Sequence, residues 1–555
     1  MKGTLALAAG LAFGLPSAAP ADPEPFFDGL GSYTRKITTN SEAAQRYFNQ
    51  GLAFVQGFNH GEAIRSFQEA ARIDPTCAMA HWGVALACGP HINLPMVPPP
   101  AAELAWKELA LAQRCAPNAS LVERDLIEAL GHRYANPQPD DRSALDKAYA
   151  DAMRAAWQSH PDDPDVGAFF AEAMMDLRPW DQWTPDGMPQ PGTAEIVATL
   201  DAVLRINLQH PFANHLYIHA VEESSHPEQA NAAADRLRAL QPGIAHNVHM
   251  PSHIDIRCGR WQEAIDTNLR AVEADKRYRK IVGPPRGFYF IYTAHNEHML
   301  AYAAMMAGQR RIAIDHVRAL VAGMPPDLVK EYAFAAEAYV AMPYEVLARF
   351  GLWDDILAEP DHPDFMVFTR ALRHAARGIA FAAKGDTATA RVEQHAYLDA
   401  VKLVPADESA AGNNLSTSVL AVATAMLEGE ILIREGSVDR GLARLREAVL
   451  AEDALKYDEP PSWLLPAAHS LGASLMQAGR YAEAEQVYRS DLAQRAENGW
   501  SLFGLEESLR KQGRATEAAA VDARFRRVWA NADVAIRSSC YCQPGLGFIP
   551  SPARP

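Results

Sequence analysis

The sequence is poor in the features that identify most enzyme families. It has six cysteines in 555 residues, too few to hold a chain of this length together as a disulfide framework. It contains no Gly-rich phosphate loop, no dinucleotide-binding fingerprint and no nucleophile motif. Mechanisms that depend on a nucleotide or on a covalent intermediate therefore have no signature in this chain.

Positive charge is also scarce. Lysine and arginine number 52 against 68 aspartate and glutamate residues, which gives a formal net charge of −16. Because no basic stripe is available to neutralise phosphates, we expect no nucleic-acid partner. No segment beyond the N-terminus approaches ~18 uninterrupted apolar residues, so we predict no transmembrane segment.

The N-terminus has the pattern of a secretory signal. Lys2 precedes a short apolar run, and Ala19-Pro20-Ala21 offers a cleavage site before Asp22. We predict that residues 1–21 are a cleaved signal peptide and that the mature protein is periplasmic or secreted. The alternative is a frayed N-terminal helix.

The abundant feature is alanine-rich helical sequence with a repeat. The stretch 44–75 places small, aromatic and closing proline residues at the offsets of a tetratricopeptide repeat (TPR). These residues are Tyr47, Gly51, Phe54, Ala63, Phe67, Ala70 and Pro75. Later units are registered on a glycine between their two helices, at Gly259, Gly308, Gly385, Gly479 and Gly513.

These patterns predict an all-α fold, an α-solenoid of TPR helical hairpins that is irregular in its first half. The Ser/Pro/Gly-rich end predicts a short, disordered-like C-terminal tail with Cys540 and Cys542. That pair is open to three interpretations: a disulfide, a soft-metal ligand pair, or part of the tail. The predicted segments are the signal peptide 1–21, N-terminal TPR-like hairpins 22–210, His-rich repeats 211–327, C-terminal repeats 328–533 and the tail 534–555.

Seven histidines occupy matching positions in three of these repeats. His215 and His249 are 34 residues apart, as are His219 and His253, and 34 residues is the TPR period. An i, i+4 spacing puts two rings on one face of a helix. Resemblance to TPR proteins implies that all seven face the concave groove. They are His215, His219, His246, His249, His253, His295 and His298.

Imidazole is the commonest protein ligand of transition metals. We therefore predict a site for one or two metal ions at these histidines. Glu222 and Glu223 follow the first pair and are predicted as catalytic carboxylates. They are also suited as extra metal ligands or as acceptors that fix the ring tautomers. Nitrogen ligands outside the cytoplasm favour copper over zinc or iron.

Several functions fit such a centre. Copper would suit an O₂-activating oxidoreductase, whereas zinc with a glutamate base would mean hydrolysis. The substrate would be a small or peptide-like molecule in the groove. A metal carrier, or a non-enzymatic TPR adaptor that binds a partner's peptide, remains an alternative.

Other conspicuous residues have ordinary interpretations. We expect His91 to be incidental and His210 to cap a helix. We expect Trp180 and Trp183 to end a helix rather than to wall a pocket.

Five segments carry a family resemblance. They read AMAHWGVALACGPHINLPM, AEAMMDLRPWDQW, HPFANHLYIHAVE, HMPSHIDIR and YDEPPSW. With them the chain resembles a group of exported bacterial TPR proteins that have HxxxH and HMPSHI segments. The resemblance implies the fold and an exported location, and it supplies no activity.

Overall fold

A computed structural model describes residues 23–284, 287–408 and 412–542. The predicted signal peptide and the last part of the predicted tail lie outside these ranges. Within them the regular structure is helical, and no β-strand longer than an isolated bridge forms. The prediction of an all-α fold is confirmed.

The chain divides into two compact units. Unit 1 comprises Met1–Ile254 and Leu269–Thr293, and unit 2 comprises Asp255–Asn268 and Ala294–Pro555. The division of the chain into five segments stays a prediction.

Helices α1 to α11 belong to unit 1. They are α1 (Glu42–Gln56), α2 (His60–Ile73), α3 (Ala78–Ala87), α4 (Pro99–Cys115), α5 (Leu121–Gly131), α6 (Ser143–Ser159), α7 (Pro164–Met175), α8 (Thr193–Ile206), α9 (Pro211–Val221), α10 (Asn231–Leu240) and α11 (Ala245–His249). Three helices contribute residues to both units: α12 (Pro251–Arg257), α13 (Trp261–Val282) and α14 (Tyr289–Met306).

Helices α15 to α26 belong to unit 2. They are α15 (Arg310–Ala322), α16 (Pro326–Glu331), α17 (Ala333–Arg349), α18 (Trp353–Ala358), α19 (Val367–Ala383), α20 (Thr387–Val401), α21 (Ser416–Arg434), α22 (Val438–Asp453), α23 (Ala467–Gln477), α24 (Tyr481–Gln494), α25 (Gly499–Lys511) and α26 (Ala515–Val528). Short 3₁₀ turns form at Ala116–Asn118, Pro227–Ala230 and Trp529–Asn531.

The turns between paired helices explain the glycine spacing. In unit 2 the turn residue lies two positions after one helix and two before the next, and it is a glycine with positive φ. The left-handed region is open to glycine and costs other residues roughly 1–2 kcal/mol. All five glycines registered from the sequence lie at such turns, so the TPR-type hairpins are confirmed. Gly351 and Gly436 lie at two further turns of the same kind.

Close helix packing in the first hairpin follows from small residues. A Cβ atom added at Gly51 of α1 would lie 2.6 Å from the Phe67 ring of α2, and Gly83 of α3 approaches the same ring as closely. Phe67 is fully buried. The sequence pattern of small residues facing aromatic ones is therefore realised as predicted.

Helix α21 lies in the hydrophobic core of unit 2. Val419, Leu420, Ala423 and Leu427 on this helix are buried in that core. By length and composition alone α21 could cross a membrane, but 61% of the stretch that passes this test is buried inside the protein. Core helices of globular domains have the same composition.

Residues 534–542 are the part of the predicted tail that the structure describes. Val534, Cys540, Tyr541 and Cys542 are each buried. The Tyr541 hydroxyl donates a hydrogen bond to the carbonyl of Ala535 at 2.6 Å. These four side chains therefore anchor the segment in unit 2, and the rest of the predicted tail lies outside the described residues.

Candidate metal centre

Five of the seven predicted histidines lie together in the interior of unit 1. α9 carries His215 and His219, α11 carries His246 and His249, and α12 carries His253. None of them is more than 4% exposed. The centroids of neighbouring rings lie 4.8 to 5.8 Å apart for the pairs His215–His219, His215–His246, His246–His249, His249–His253 and His219–His253.

The local sequence determines where the helices that carry these histidines begin, and so determines where the rings lie. α9 begins at Pro211, whose missing N–H is not needed in a first turn. His210 caps it as predicted, and its Nδ1 accepts from the N–H of Ala213 at 3.1 Å. Pro251 interrupts the next helix at Met250, which keeps helical dihedrals. His249 and His253 therefore lie on two short helices yet stay close, with their Nε2 atoms 2.8 Å apart.

One ring nitrogen of His215 is committed to the backbone. Its Nδ1 donates to the carbonyl of Gln56 at 2.8 Å. Because a carbonyl only accepts, this bond places the proton on Nδ1 and leaves a lone pair on Nε2. That Nε2 is buried and has no hydrogen-bond partner among the residues that the structure describes.

Glu222 holds two of the rings. Its Oε1 accepts from Nδ1 of His219 at 2.8 Å, and its Oε2 accepts from Nδ1 of His253 at 2.6 Å. Burial opposes ionisation of this carboxyl, but His253 and His219 outweigh it and hold the pKa of Glu222 well below its ordinary value. The Nε2 of His219 is buried without a hydrogen-bond partner in the described ranges. A carboxylate behind the imidazole is the usual support of a metal-binding histidine.

Three rings meet closely enough to share an ion. One nitrogen from each of His215, His219 and His246 lies within 4.8 Å of the others. Nitrogens bound to one ion at ~2.1 Å are themselves about 3–4 Å apart. A side-chain adjustment of about an ångström would bring the three nitrogens to a common ion. A second set, His219, Glu222 and His253, meets the same distance limit.

Glu222 and Glu223 make different contacts, and their catalytic role stays a prediction. Both Glu222 oxygens accept from imidazoles, so this residue positions the two rings. Glu223 hydrogen-bonds to the backbone of Trp183 and Gln182, and burial raises its pKa to about 7. The supporting role that the sequence offered as the alternative fits Glu222.

The predicted open groove is replaced by an interior site. The turn between α1 and α2 lies against the histidines, and Phe58 in that turn contacts five imidazoles. The Phe58 ring centroid is 4.6 Å from those of both His91 and His215, and 5.6 Å from that of His246. His60 and His219 lie slightly farther away. The histidines that were predicted to face the groove are buried because the α1–α2 hairpin, which is distant in sequence, covers them.

Phe58 occupies the position that glycine takes in the hairpin turns of unit 2. It lies two residues after α1 and two before α2, and its φ is +55°. The left-handed conformation costs a phenylalanine roughly 1–2 kcal/mol. Backbone strain of this kind is concentrated at functional sites. Trp180, also at φ +55°, packs edge-on against His219 with centroids 5.4 Å apart. Two of the three described non-glycine residues with positive φ therefore contact this cluster.

The backbone strain at Phe58 has a measurable consequence. Both Phe58→Ala and Phe58→Gly remove the ring, but only glycine adopts the left-handed conformation freely. We expect Phe58→Gly to be more stable than Phe58→Ala by about 1 kcal/mol, the reverse of the usual order. Urea unfolding of the two variants measures the difference. An alanine variant at least as stable as the glycine variant would contradict the strain.

Sequence reasoning missed part of this environment. His91, expected to be incidental, is buried and stacks on Phe58 with an interplanar angle of 19°. His60 was not considered, although its ring lies 4.5 Å from that of His91 and burial lowers its pKa to about 3. Trp180 follows the end of α7, as expected, and also walls the cluster. An imidazole contacting another imidazole is visible only once the chain is folded.

A cavity of about 560 Å³ adjoins the cluster within unit 1. Phe58, His60, His91 and Tyr292 belong to its lining, with Tyr292 also 4.7 Å from the His246 ring. Most of the remaining wall is apolar or aromatic, including Leu94, Met96, Ile281, Val282 and Phe288. The cavity is large enough for a small organic molecule.

The two remaining predicted histidines belong to unit 2. His295 and His298 lie on α14, and their ring centroids are 6.3 Å apart. His298 packs edge-on against Tyr339 at 4.9 Å, and burial lowers its pKa to about 3. Their membership of a shared metal site stays a prediction.

Comparisons with known proteins concern only the fold. No protein-family model and no curated protein matches this sequence. Among solved structures, the human IFIT1 dimer with m7Gppp-AAAA is 11% identical, with 89% of this chain and 92% of that chain covered and a TM-score of 0.33. Yeast Tom70 is 10% identical over 88% and 91%, with a TM-score of 0.30. The Cut9–Hcn1 hetero-tetramer of the APC/C is 10% identical over 89% and 76%, at 0.28. Likenesses this low carry no information about ligand or activity.

Proposed function

We propose that this chain is a metal-binding protein whose unit 1 holds a transition-metal ion on histidine nitrogens. His215, His219 and His246 form the principal ligand set, and Glu222 supports the site. The observation that carries the proposal is the pair of buried Nε2 atoms on His215 and His219, which have no partner in the described structure. Burying such an atom unpaired costs about 1–3 kcal/mol, whereas a bound ion would satisfy both.

Copper suits this donor set best. The ligands are imidazoles, and Cu²⁺ heads the affinity order of divalent ions for nitrogen sites, ahead of Zn²⁺ and Fe²⁺. The exported location inferred from the N-terminal sequence belongs to the same proposal, since copper is less tightly buffered outside the cytoplasm. Titration of metal-free protein with Cu²⁺ and Zn²⁺ tests it. We expect uptake on the order of one equivalent per chain, and no uptake of either ion would overturn it.

The support provided by Glu222 gives a sharper test of the same site. Glu222→Gln keeps the size of the side chain. The amide has one acceptor oxygen and a donor NH₂ group, so it cannot accept from an imidazole N–H at both positions. We expect Cu²⁺ affinity to fall by about 10–100-fold, as for other supporting carboxylates. Glu223→Gln is the matched control, because this neighbour contacts backbone groups, and we expect it to bind like the wild type. Equal affinities for both variants would remove Glu222 from the site.

Oxidation is the reaction that we propose, because copper is the ion that this donor set favours. Each carboxylate oxygen of Glu222 accepts from an imidazole, which fits a positioning role better than that of a hydrolytic base. In the proposed two-electron oxidation the substrate gives up two electrons and two protons, and O₂ accepts them to form H₂O₂. The adjoining cavity would hold the small, largely apolar substrate.

The alternatives make distinct predictions. An oxidase loaded with copper consumes O₂ and releases H₂O₂ with a suitable reducing substrate, whereas a metal carrier binds copper without turnover. An adaptor would bind a partner peptide in the presence of a chelator. Oxygen electrode measurements on the copper-loaded protein, with the metal-free protein as control, distinguish the first two.

A further inference from the structure

A second cluster of metal-ligating side chains lies in unit 2. Cys540 and Cys542 are joined by a disulfide, and their Cα atoms are 5.3 Å apart. Both are buried, at 9% and 3% exposure. Ser470 on α23 lies between them, with its Oγ 3.3 Å from the sulfur of Cys540 and 3.6 Å from that of Cys542. This cluster shares no residue with the histidines of unit 1.

Glu430 on α21 completes the cluster and gives the independent sign of a ligand site. It is 1% exposed, and one of its oxygens lies within 4.8 Å of both sulfurs, which are themselves within that distance of each other. Oε2 pairs with Arg434 at 3.3 Å. Oε1 makes no close hydrogen bond within the described ranges, and burial raises the pKa of Glu430 to about 7 against the opposing effects of Arg434 and the Ser470 hydroxyl. A buried carboxylate oxygen left unpaired is costly, and here it adjoins two sulfurs.

We propose that reduction of the Cys540–Cys542 disulfide turns this cluster into a binding site for a thiophilic metal ion. A phosphine or dithiol reductant supplies two electrons, and two protons from water give two thiols. The metal ion then displaces both thiol protons and binds two thiolates and the Glu430 carboxylate. Sulfurs bound at ~2.3 Å to one ion are about 4 Å apart, a separation that side chains on Cα atoms 5.3 Å apart reach. The disulfide form has no thiolate, so the site is controlled by oxidation.

Thiolate ligands select soft or borderline ions such as Cu⁺, Zn²⁺ and Cd²⁺ over Mg²⁺ and Ca²⁺. Cd²⁺ is the most useful probe, because its bond to a thiolate produces an ultraviolet charge-transfer band that imidazole does not give. The experiment uses the full chain in two states, oxidised and reduced by a phosphine that is then removed. Both states contain the other four cysteines, so the difference between their bands reports on this pair.

We expect the reduced protein to bind about one more Cd²⁺ than the oxidised protein, with a stronger charge-transfer band. Cys540→Ser should abolish the additional band, and Glu430→Gln should weaken the affinity at least about tenfold. Cys115→Ser is the control for a free cysteine elsewhere and should leave the difference between the two states unchanged. His215→Ala/His219→Ala should also leave it unchanged, which separates this site from the metal centre of unit 1.

Two outcomes would overturn the proposed metal site, and a third would overturn its ligand set. One is an equal band in oxidised and reduced wild-type protein, a comparison that needs no substitution and so does not depend on a variant folding. The other is an unchanged additional band in Cys540→Ser. Wild-type affinity in Glu430→Gln would remove the carboxylate from the ligand set and with it the three-ligand site.

Discussion

The double variant His215→Ala/His219→Ala should lose more than about 100-fold in Cu²⁺ affinity relative to the wild type. It removes the two imidazoles whose Nε2 atoms are buried without a partner in the described structure. Loss of a support alone costs about 10–100-fold, so loss of two direct ligands of the principal set exceeds that range. Titration followed by calorimetry or by copper absorbance measures the change.

The control for this variant is a histidine pair outside the cluster. His226 is exposed and pairs with Glu228 on the surface, and His395 is exposed and bonds to its own helix backbone. His226→Ala/His395→Ala removes the same number of imidazoles, and we expect it to bind Cu²⁺ like the wild type. Equal losses in the two double variants would mean that copper binds exposed histidines, and the centre in unit 1 would then be wrong.

The fold of the double variant needs its own check, since both rings are buried. The removed rings leave space, and Phe58 loses two of its partners. His215→Gln/His219→Gln keeps more of the volume while removing the ring nitrogens, and it should show the same loss of copper with a smaller loss of stability. A glutamine variant that binds copper normally would contradict direct ligation by these two residues.

The sequence predicted the scaffold better than the surroundings of the site. The turn glycines and the spacing of His215, His219, His249 and His253 follow from a local repeat, so each hairpin carries its own signal. The burial of the cluster does not follow from a local repeat, because it depends on the α1–α2 turn. The hydrogen bond from His215 to the carbonyl of Gln56 joins residues 159 positions apart. No helical period encodes which hairpin covers a given face.

One part of the missed environment did have a sequence signal. The turn positions that hold glycine in unit 2 correspond to Phe58 in the first hairpin, where a large aromatic residue replaces the residue that the backbone favours. A local rule that is broken in this way indicates a functional or strained position. His469 is a different case: it is fully buried and bonds to Asp491 at 3.0 Å, although no local pattern marks it. Only the folded structure brings its partners together.

Asp491→Ala should destabilise the protein by about 3–5 kcal/mol. Asp491 on α24 is fully buried in unit 2. Its Oδ2 accepts from His469 Nε2, Asn498 Nδ2 and Ser501 Oγ at 3.0, 2.9 and 2.6 Å, and its Oδ1 accepts from Arg495 Nη1 at 2.9 Å. Removing the carboxylate leaves the partly buried Arg495 with less compensating charge and takes an acceptor from three other donors. Urea unfolding followed by circular dichroism measures the change.

An exposed aspartate gives the matched control. Asp399 pairs with Lys402 on the surface of α20, and both side chains are more than 70% exposed. Asp399→Ala should therefore change the free energy of unfolding by no more than about 0.5 kcal/mol. A similar small effect in Asp491→Ala would show that the buried network contributes little net stability, as some buried ion pairs do when hydrophobic packing can replace them.

The contribution of Asp491 should also depend on pH. Burial opposes its ionisation, but His469 and Arg495 outweigh burial and hold its pKa well below the ordinary value. A carboxyl whose folded pKa is depressed stabilises the protein fully above its unfolded pKa, about 3.9, and loses that effect as pH falls toward the folded pKa. The difference in unfolding free energy between wild type and Asp491→Ala should therefore be constant from about pH 5 to 7 and shrink below about pH 4. A difference that already changed between about pH 7 and pH 5 would mean that the carboxyl titrates in this range in the folded protein, and the charge assigned to this network would be wrong.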